Sequence, residues 1–196
     1  SDIVALYHAN RSLTDASGKN AALTLSGNAR MDDLNLGWMA TRSGQALRFY
    51  DLGDKATVTI PGTALYSPNT TEISIEAMVF VESYKGWNRG TARLLTLERS
   101  WDCSLKWFED IYSGTHVCGG MTLDCTGATL DAAMPTGQWH HLQISLASGG
   151  YAVRVNGALV ASIASADLTK WSGGTVVLEL GNFSGWIDEV AVKSKT

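Results

Sequence analysis

The residues able to do chemistry fall into four groups. His140 and His141 stand side by side after Trp139 in "GQWHHLQISLASGGYAVRVNGALVASI". Such a pair is a candidate half metal site or general acid/base. On a strand, however, neighbouring side chains point to opposite faces, so the two imidazoles cannot close on one ion or one proton. The expected arrangement puts Trp139 and His141 on one face and holds one histidine by a hydrogen bond within the fold. In "EISIE", Glu72, Ser74 and Glu76 share a face, which makes the two carboxylates a candidate acid/base pair. Retaining glycoside hydrolysis needs carboxyl groups about 5–5.5 Å apart, whereas i and i+4 on a strand start roughly 13 Å apart. They would have to straddle a substrate or a bulge.

The third group is aromatic. Seven tryptophans (Trp38, Trp87, Trp101, Trp107, Trp139, Trp171, Trp186) are a high load for 196 residues. A Trp ring offers a flat apolar face to the C–H surface of a sugar while its N–H finds a polar partner. Trp87 in "SYKGWNRGT" and Trp101 in "ERSWDCS" stand in polar, turn-like surroundings and are the expected exposed platforms. Trp107 in "SLKWFED" suits either a core or a ligand position. Lys85, Arg89 and Arg99 nearby could grip hydroxyls or an anionic sugar substituent by charge-assisted hydrogen bonds, or simply lie solvated at a rim. The fourth group is three cysteines, Cys103, Cys118 and Cys125, which allow one disulfide in any of three pairings.

These groups are positioned by short apolar runs separated by turn residues. "ALRFYDLGDKATVTI", "EISIEAMVFVE", "ARLLTLERS" and "TVVLELGNFSGWIDEVAVK" alternate in the manner of strands, with 20 glycines spread among them. Ile73, Ile75, Ala77, Val79 and Val81 predict a buried strand face; Ser74, Glu76, Met78 and Phe80 predict a mixed one, solvent-facing or lining a groove. Asn156-Gly157 between "YAVRV" and "ALVASI" predicts a type I′ hairpin turn. Thr14 to Leu25 and Ser165 to Trp171 read as loop or brief helix. The pattern predicts an all-β chain: a two-sheet antiparallel β-sandwich, as one domain over 1–196.

Composition narrows the function classes. A formal charge of −4 provides no basic field to gather phosphates, so nucleic acid is not an expected partner. The apolar runs fall short of the ~20 residues of a membrane helix, and "SDIVALYHAN" has no signal-peptide pattern. An excised domain or processed product is the expectation for so abrupt a start. Three sequons, at Asn10, Asn69 and Asn182, would permit glycosylation in a eukaryotic secretory route. The Gly-x-Ser-x-Gly elbow, the "HExxH" metalloprotease pair and the phosphate-cradling glycine loop do not occur.

The ordered set "ALYHANRSLTDASGKNAALTLSG", "LRFYDLGDKATVTIP", "ISIEAMVFVE", "WHHLQISLASGGYAVRVNGALVAS" and "LELGNFSGWIDEVAVK" resembles the concanavalin A-like jelly roll, specifically its laminin G-like branch. The resemblance covers nearly the whole chain and departs most between Trp87 and Thr129. It implies that "WHH" is framework, that Trp139 and Trp186 are packing residues, and that Glu76 occupies the "SIEA" position of non-catalytic laminin G-like domains. Laminarinase-type hydrolases of the same jelly roll carry two acids in a similar alternation, with an aspartate where this chain has Ser74. The resemblance further implies a secreted or cell-surface domain. The expected ligand is a polysaccharide or glycan, with Trp87, Arg99, Trp101 and Trp107 as its expected contacts by their own chemistry rather than by the resemblance. A protein-interaction or adhesion module and a hydrolase using Glu72 and Glu76 are the alternatives. Asn10 and Asp188 match positions where many jelly rolls of the superfamily place oxygen ligands for structural calcium; a solvent-facing Asp188 is the alternative there.

Overall fold

A computed structural model of the chain describes residues 2–34, 44–51, 53–83, 93–99, 106–110, 116–118, 121–123, 133–148, 150–163, 168–181 and 183–196. Alternating sequence becomes two antiparallel sheets. The larger runs in the order β13 (Ala158–Ile163), β12 (Gly150–Val155), β11 (Trp139–Ala147), β6 (Glu72–Ser83), β15 (Ser184–Lys195), β4 (Gln45–Phe49) and β3 (Arg30–Asp33). β1 (Asp2–Tyr7) also pairs with β15, whose first half meets β4 and whose second half meets β1. The smaller sheet runs β2 (Thr24–Ser26), β5 (Lys55–Pro61), β14 (Thr175–Gly181), β7 (Arg93–Arg99) and β8 (Lys106–Asp110). β9 (His116–Cys118) and β10 (Met121–Leu123) pair with each other. One four-residue helix, α1 (Gly62–Leu65), and a 3-10 turn at Leu168–Trp171 are the helical segments described.

The predicted faces hold. Ile73, Ile75, Ala77, Val79 and Val81 of β6 join Leu142, Ile144 and Leu146 of β11 in the core between the sheets, opposite Val58 and Ile60 of β5 and Val176, Leu178 and Leu180 of β14. Apolar burial of this extent is what drives two such sheets together. The other face of β6 is mixed, as expected, but Phe80 is not solvent-facing. With Leu34, Ala46 and Trp186 it forms a second buried cluster on the outside of the larger sheet, and Trp139 packs against that cluster half-buried. Trp139 and Trp186 are thus packing residues.

Backbone geometry fixes two junctions. Asn156 and Gly157 have φ of 51° and 84°, the positive pair that a type I′ turn demands. At Gly181 φ is +120° and an added Cβ would lie 2.2 Å from the Asp54 carbonyl oxygen, so only glycine suits the end of β14.

Candidate functional site

The outward face of the larger sheet collects most of the chemistry seen in the sequence. His140 and His141 do point to opposite sides. His140 is 2% exposed; its Nε2 donates to the Pro135 carbonyl at 2.9 Å, which leaves Nδ1 to accept from the Asn156 amide at 3.2 Å. Both ring nitrogens are engaged in a neutral tautomer, so this histidine is a structural one. His141 faces outward, its Nε2 3.5 Å from a Glu76 carboxylate oxygen. The other Glu76 oxygen takes the Lys193 ammonium in a close ion pair.

Glu72 and Glu76 are not brought together. β6 pairs with β11 from Glu72 to Phe80 without a register break, so the two acids keep their four-residue spacing, roughly 13 Å along the strand. The bulge in this neighbourhood lies on β15, between Asp188 and Ala191. Glu76 is therefore held by Lys193 and His141 and has no second carboxylate from "EISIE" at catalytic distance.

A second row on this face was not legible as a unit. Arg30, Arg48, Trp186, Phe80 and Trp139 occupy one cross-strand line over β3, β4, β15, β6 and β11. The Arg48 guanidinium lies 3.7 Å from the Trp186 ring centroid and 4.4 Å from that of Tyr50, and the Arg30 guanidinium lies 5.0 Å from the same Tyr50 centroid. Arg48 Nη2 pairs with Glu82 at 2.5 Å, while Nη1 is buried with no hydrogen-bond partner among the described residues. The aromatic faces on either side supply the attraction that an acceptor would otherwise give. Phe80 meets Trp186 and Trp139 edge-on at 5.3 and 5.6 Å.

At the corner where β1 and β15 meet, Asp188 is 3% exposed and is not the solvent-facing residue of the sequence alternative. Its Oδ1 accepts from the Ala9 and Glu189 backbone amides at 3.2 and 2.8 Å. Asn10 Oδ1 accepts from the Gln45 amide at 3.4 Å, and Glu189, at φ 53°, turns to His8 at 2.5 Å. Ca²⁺ takes six to eight oxygens. Asn10 and Asp188 each already hold backbone amides, and among the described residues no group of three or more His, Cys, Asp and Glu is placed to hold a metal ion. No role is routed through an ion.

The outward face of the smaller sheet carries a groove of about 420 Å³ over β2, β5 and β14, lined by Ala21, Ala22, Thr24, Thr57, Val58, Thr59 and Val177. Lys55 and Glu179 pair at 3.0 Å beside it. Of the sequence-predicted ligand residues, Trp87 and Trp101 lie outside the described residues, as do Lys85, Arg89, Cys103 and Cys125. Arg99 and Trp107 are placed by backbone register alone. Arg99 pairs with Val176, and Trp107 with Leu97, which pairs with Leu178.

The segment after β1 is clamped by one carboxylate. Asp15 Oδ1 accepts from Leu6 N and Ser17 N, and Oδ2 from Ser17 Oγ, Asn20 N and Asn20 Nδ2, all within 2.9 Å. Burial alone would push its pKa up, but these donors outweigh burial and hold it below the usual aspartate value. Tyr7 moves the other way: burial, then the Asp15 charge, raises its phenol well above the ordinary range. Its hydroxyl donates to Ala21 O at 3.0 Å, which places Ala21 and Ala22 against the groove.

Fold and faces together define a two-sheet, all-β sandwich with an open groove on its smaller sheet. No family model and no curated protein matches the chain. Solved structures do. Domain 4 of AbnA, a GH43 extracellular arabinanase from Geobacillus stearothermophilus solved in complex with arabinotriose, matches at TM-score 0.67 and 20% identity, over 100% of this chain and 94% of that one. A botulinum neurotoxin type C structure, reported with cell entry dependent on two ganglioside molecules, matches at 0.64 and 16%, over 100% of this chain and 49% of that one. The binding domain of botulinum neurotoxin DC in complex with rat synaptotagmin II matches at 0.57 and 15%, over 98% and 48%. The chain spans about half the length of those toxin domains. At such identities the shared property is the fold.

Proposed function

We propose that this chain is a non-catalytic carbohydrate-binding domain of a secreted or cell-surface multidomain protein, of the concanavalin A-like, laminin G-like kind. The observation that carries the reading is the near end-to-end match with an arabinanase domain whose structure contains arabinotriose. The separation of Glu72 from Glu76 supports binding over hydrolysis. Binding would rest on hydrogen bonds and ring stacking, with Trp87, Arg99, Trp101 and Trp107 as the proposed contacts. A glycan array tests it, with Trp87→Ala and Trp101→Ala as controls: binding of at least one polysaccharide, weakened by one or both substitutions, is expected. No bound glycan would sink the reading.

A protein-interaction module is the second reading, favoured by the toxin domain solved with synaptotagmin II. It predicts a protein ligand and a silent array.

A further inference from the structure

We infer that the groove on the outward face of the smaller sheet is a binding site for an uncharged oligosaccharide, two or three sugar units long, lying across β2, β5 and β14. The inference rests on the carbohydrate reading and adds the class of the ligand and a further set of contacts for it, in addition to those proposed for Trp87, Arg99, Trp101 and Trp107.

Three threonines make the site. Thr24 pairs with Thr57 across β2 and β5, and Thr59 follows two residues along on the same face, opposite Val177 of β14. Among the described residues nothing hydrogen-bonds to the Thr24, Thr57 or Thr59 hydroxyls, unlike Ser12, Ser17, Ser67 and Thr70, whose hydroxyls are all engaged within the chain. A threonine presents one donor, two lone pairs and a methyl on a side chain that a strand holds stiffly. A row of them alternates polar and apolar points at a spacing of a few ångströms. A sugar does the same with its hydroxyls and ring C–H groups. Ala21, Ala22 and Val177 complete the apolar part of the lining.

Charge decides the class. Among the described side chains, the ionic pair beside the groove is Lys55 and Glu179, which neutralise one another at 3.0 Å; the β7 residue in register with Val177 is Glu98, an acid and not a cation. An anionic sugar would need a guanidinium or ammonium not already paired, because a buried or half-buried charge without a partner is costly. A neutral ligand needs none. The volume, about 420 Å³, lies within the usual range for small-molecule sites and suits two or three sugar rings. The groove is also held rigid from behind: Val58, between the two threonines of β5, is in the core, and Ala21 is tied by the Tyr7 hydroxyl. Little order has to be created when a ligand arrives.

Calorimetric titration of the whole chain tests this with arabinotriose, xylotriose and cellotriose as neutral probes and trigalacturonate as an acidic one. The variants are Thr57→Val with Thr59→Val, which remove two hydroxyls and keep the shape, and Thr59→Arg, which fills the groove. The expected result is binding of at least one neutral trisaccharide, insensitive to salt between about 0.05 and 0.5 M. The double valine variant should bind at least about tenfold more weakly. Thr59→Arg should abolish binding with the melting temperature unchanged. Neutral binding that all variants retain at full strength would overturn the groove while leaving the carbohydrate reading intact. Tighter, salt-sensitive binding of trigalacturonate would overturn the ligand class, and no saccharide binding would overturn both.

Discussion

Asp15 shows how much one buried acid can organise. Five donors converge on its two oxygens, so Asp15→Ala leaves the Leu6, Ser17 and Asn20 amides without their acceptor, at a cost of at least about 2 kcal/mol. Because its folded pKa is depressed, its contribution is present above the unfolded value near 3.9 and is lost as pH falls through the folded value. The stability difference between the native chain and Asp15→Asn, followed by denaturant unfolding from pH about 6 to about 2, should shrink below about pH 4. A gap constant over that range would contradict the clamp. Arg48 makes the complementary case, a charge satisfied by ring faces. Arg48→Lys keeps the charge but loses the plane stacked on Trp186 and Tyr50, and should cost about 1–3 kcal/mol, read in the same unfolding experiment. No spacing in the sequence announces that stack. Arg48 and Trp186 are 138 positions apart and meet only through the β4–β15 register.

Elements were the most legible scale. Period-two alternation marks β6, β11 and β14, and Asn156-Gly157 marks the β12–β13 turn in the sequence itself. The turn also does more than reverse the chain. Asn156 Oδ1 accepts from the His141 amide at 2.9 Å and its Nδ2 reaches His140. Asn156→Gly should therefore cost about 1 kcal/mol, for the lost side-chain bonds, and Asn156→Ala about 2 to 3, since alanine also resists positive φ. In a chain of this size that is about 2–4 °C per kcal/mol in melting temperature. Equal effects of the two substitutions would show that φ is not the constraint. Short β2 and β3 and the one-turn helix escaped the sequence reading, because three or four residues carry no measurable period.

At the scale of the molecule, catalytic and binding signals part company. The acids of "EISIE" advertised themselves in the sequence, and an unbroken strand keeps them apart. The groove did not, since threonines, alanines and a valine from residues 21–24, 57–59 and 177 carry no signature until β2, β5 and β14 align. The calcium expected at Asn10 and Asp188 has its own check. With the Asn10 and Asp188 oxygens holding backbone amides, excess chelator should leave the melting temperature unchanged, whereas a drop of several degrees would place an ion in the fold.

The most direct test of the whole is to incubate the purified chain with neutral oligosaccharides, measuring bound sugar by calorimetry and released reducing ends in the same samples. Saturable binding without new reducing ends, unchanged in Glu76→Gln, is the predicted result. Reducing ends that appear with the native chain and vanish with Glu76→Gln would contradict it.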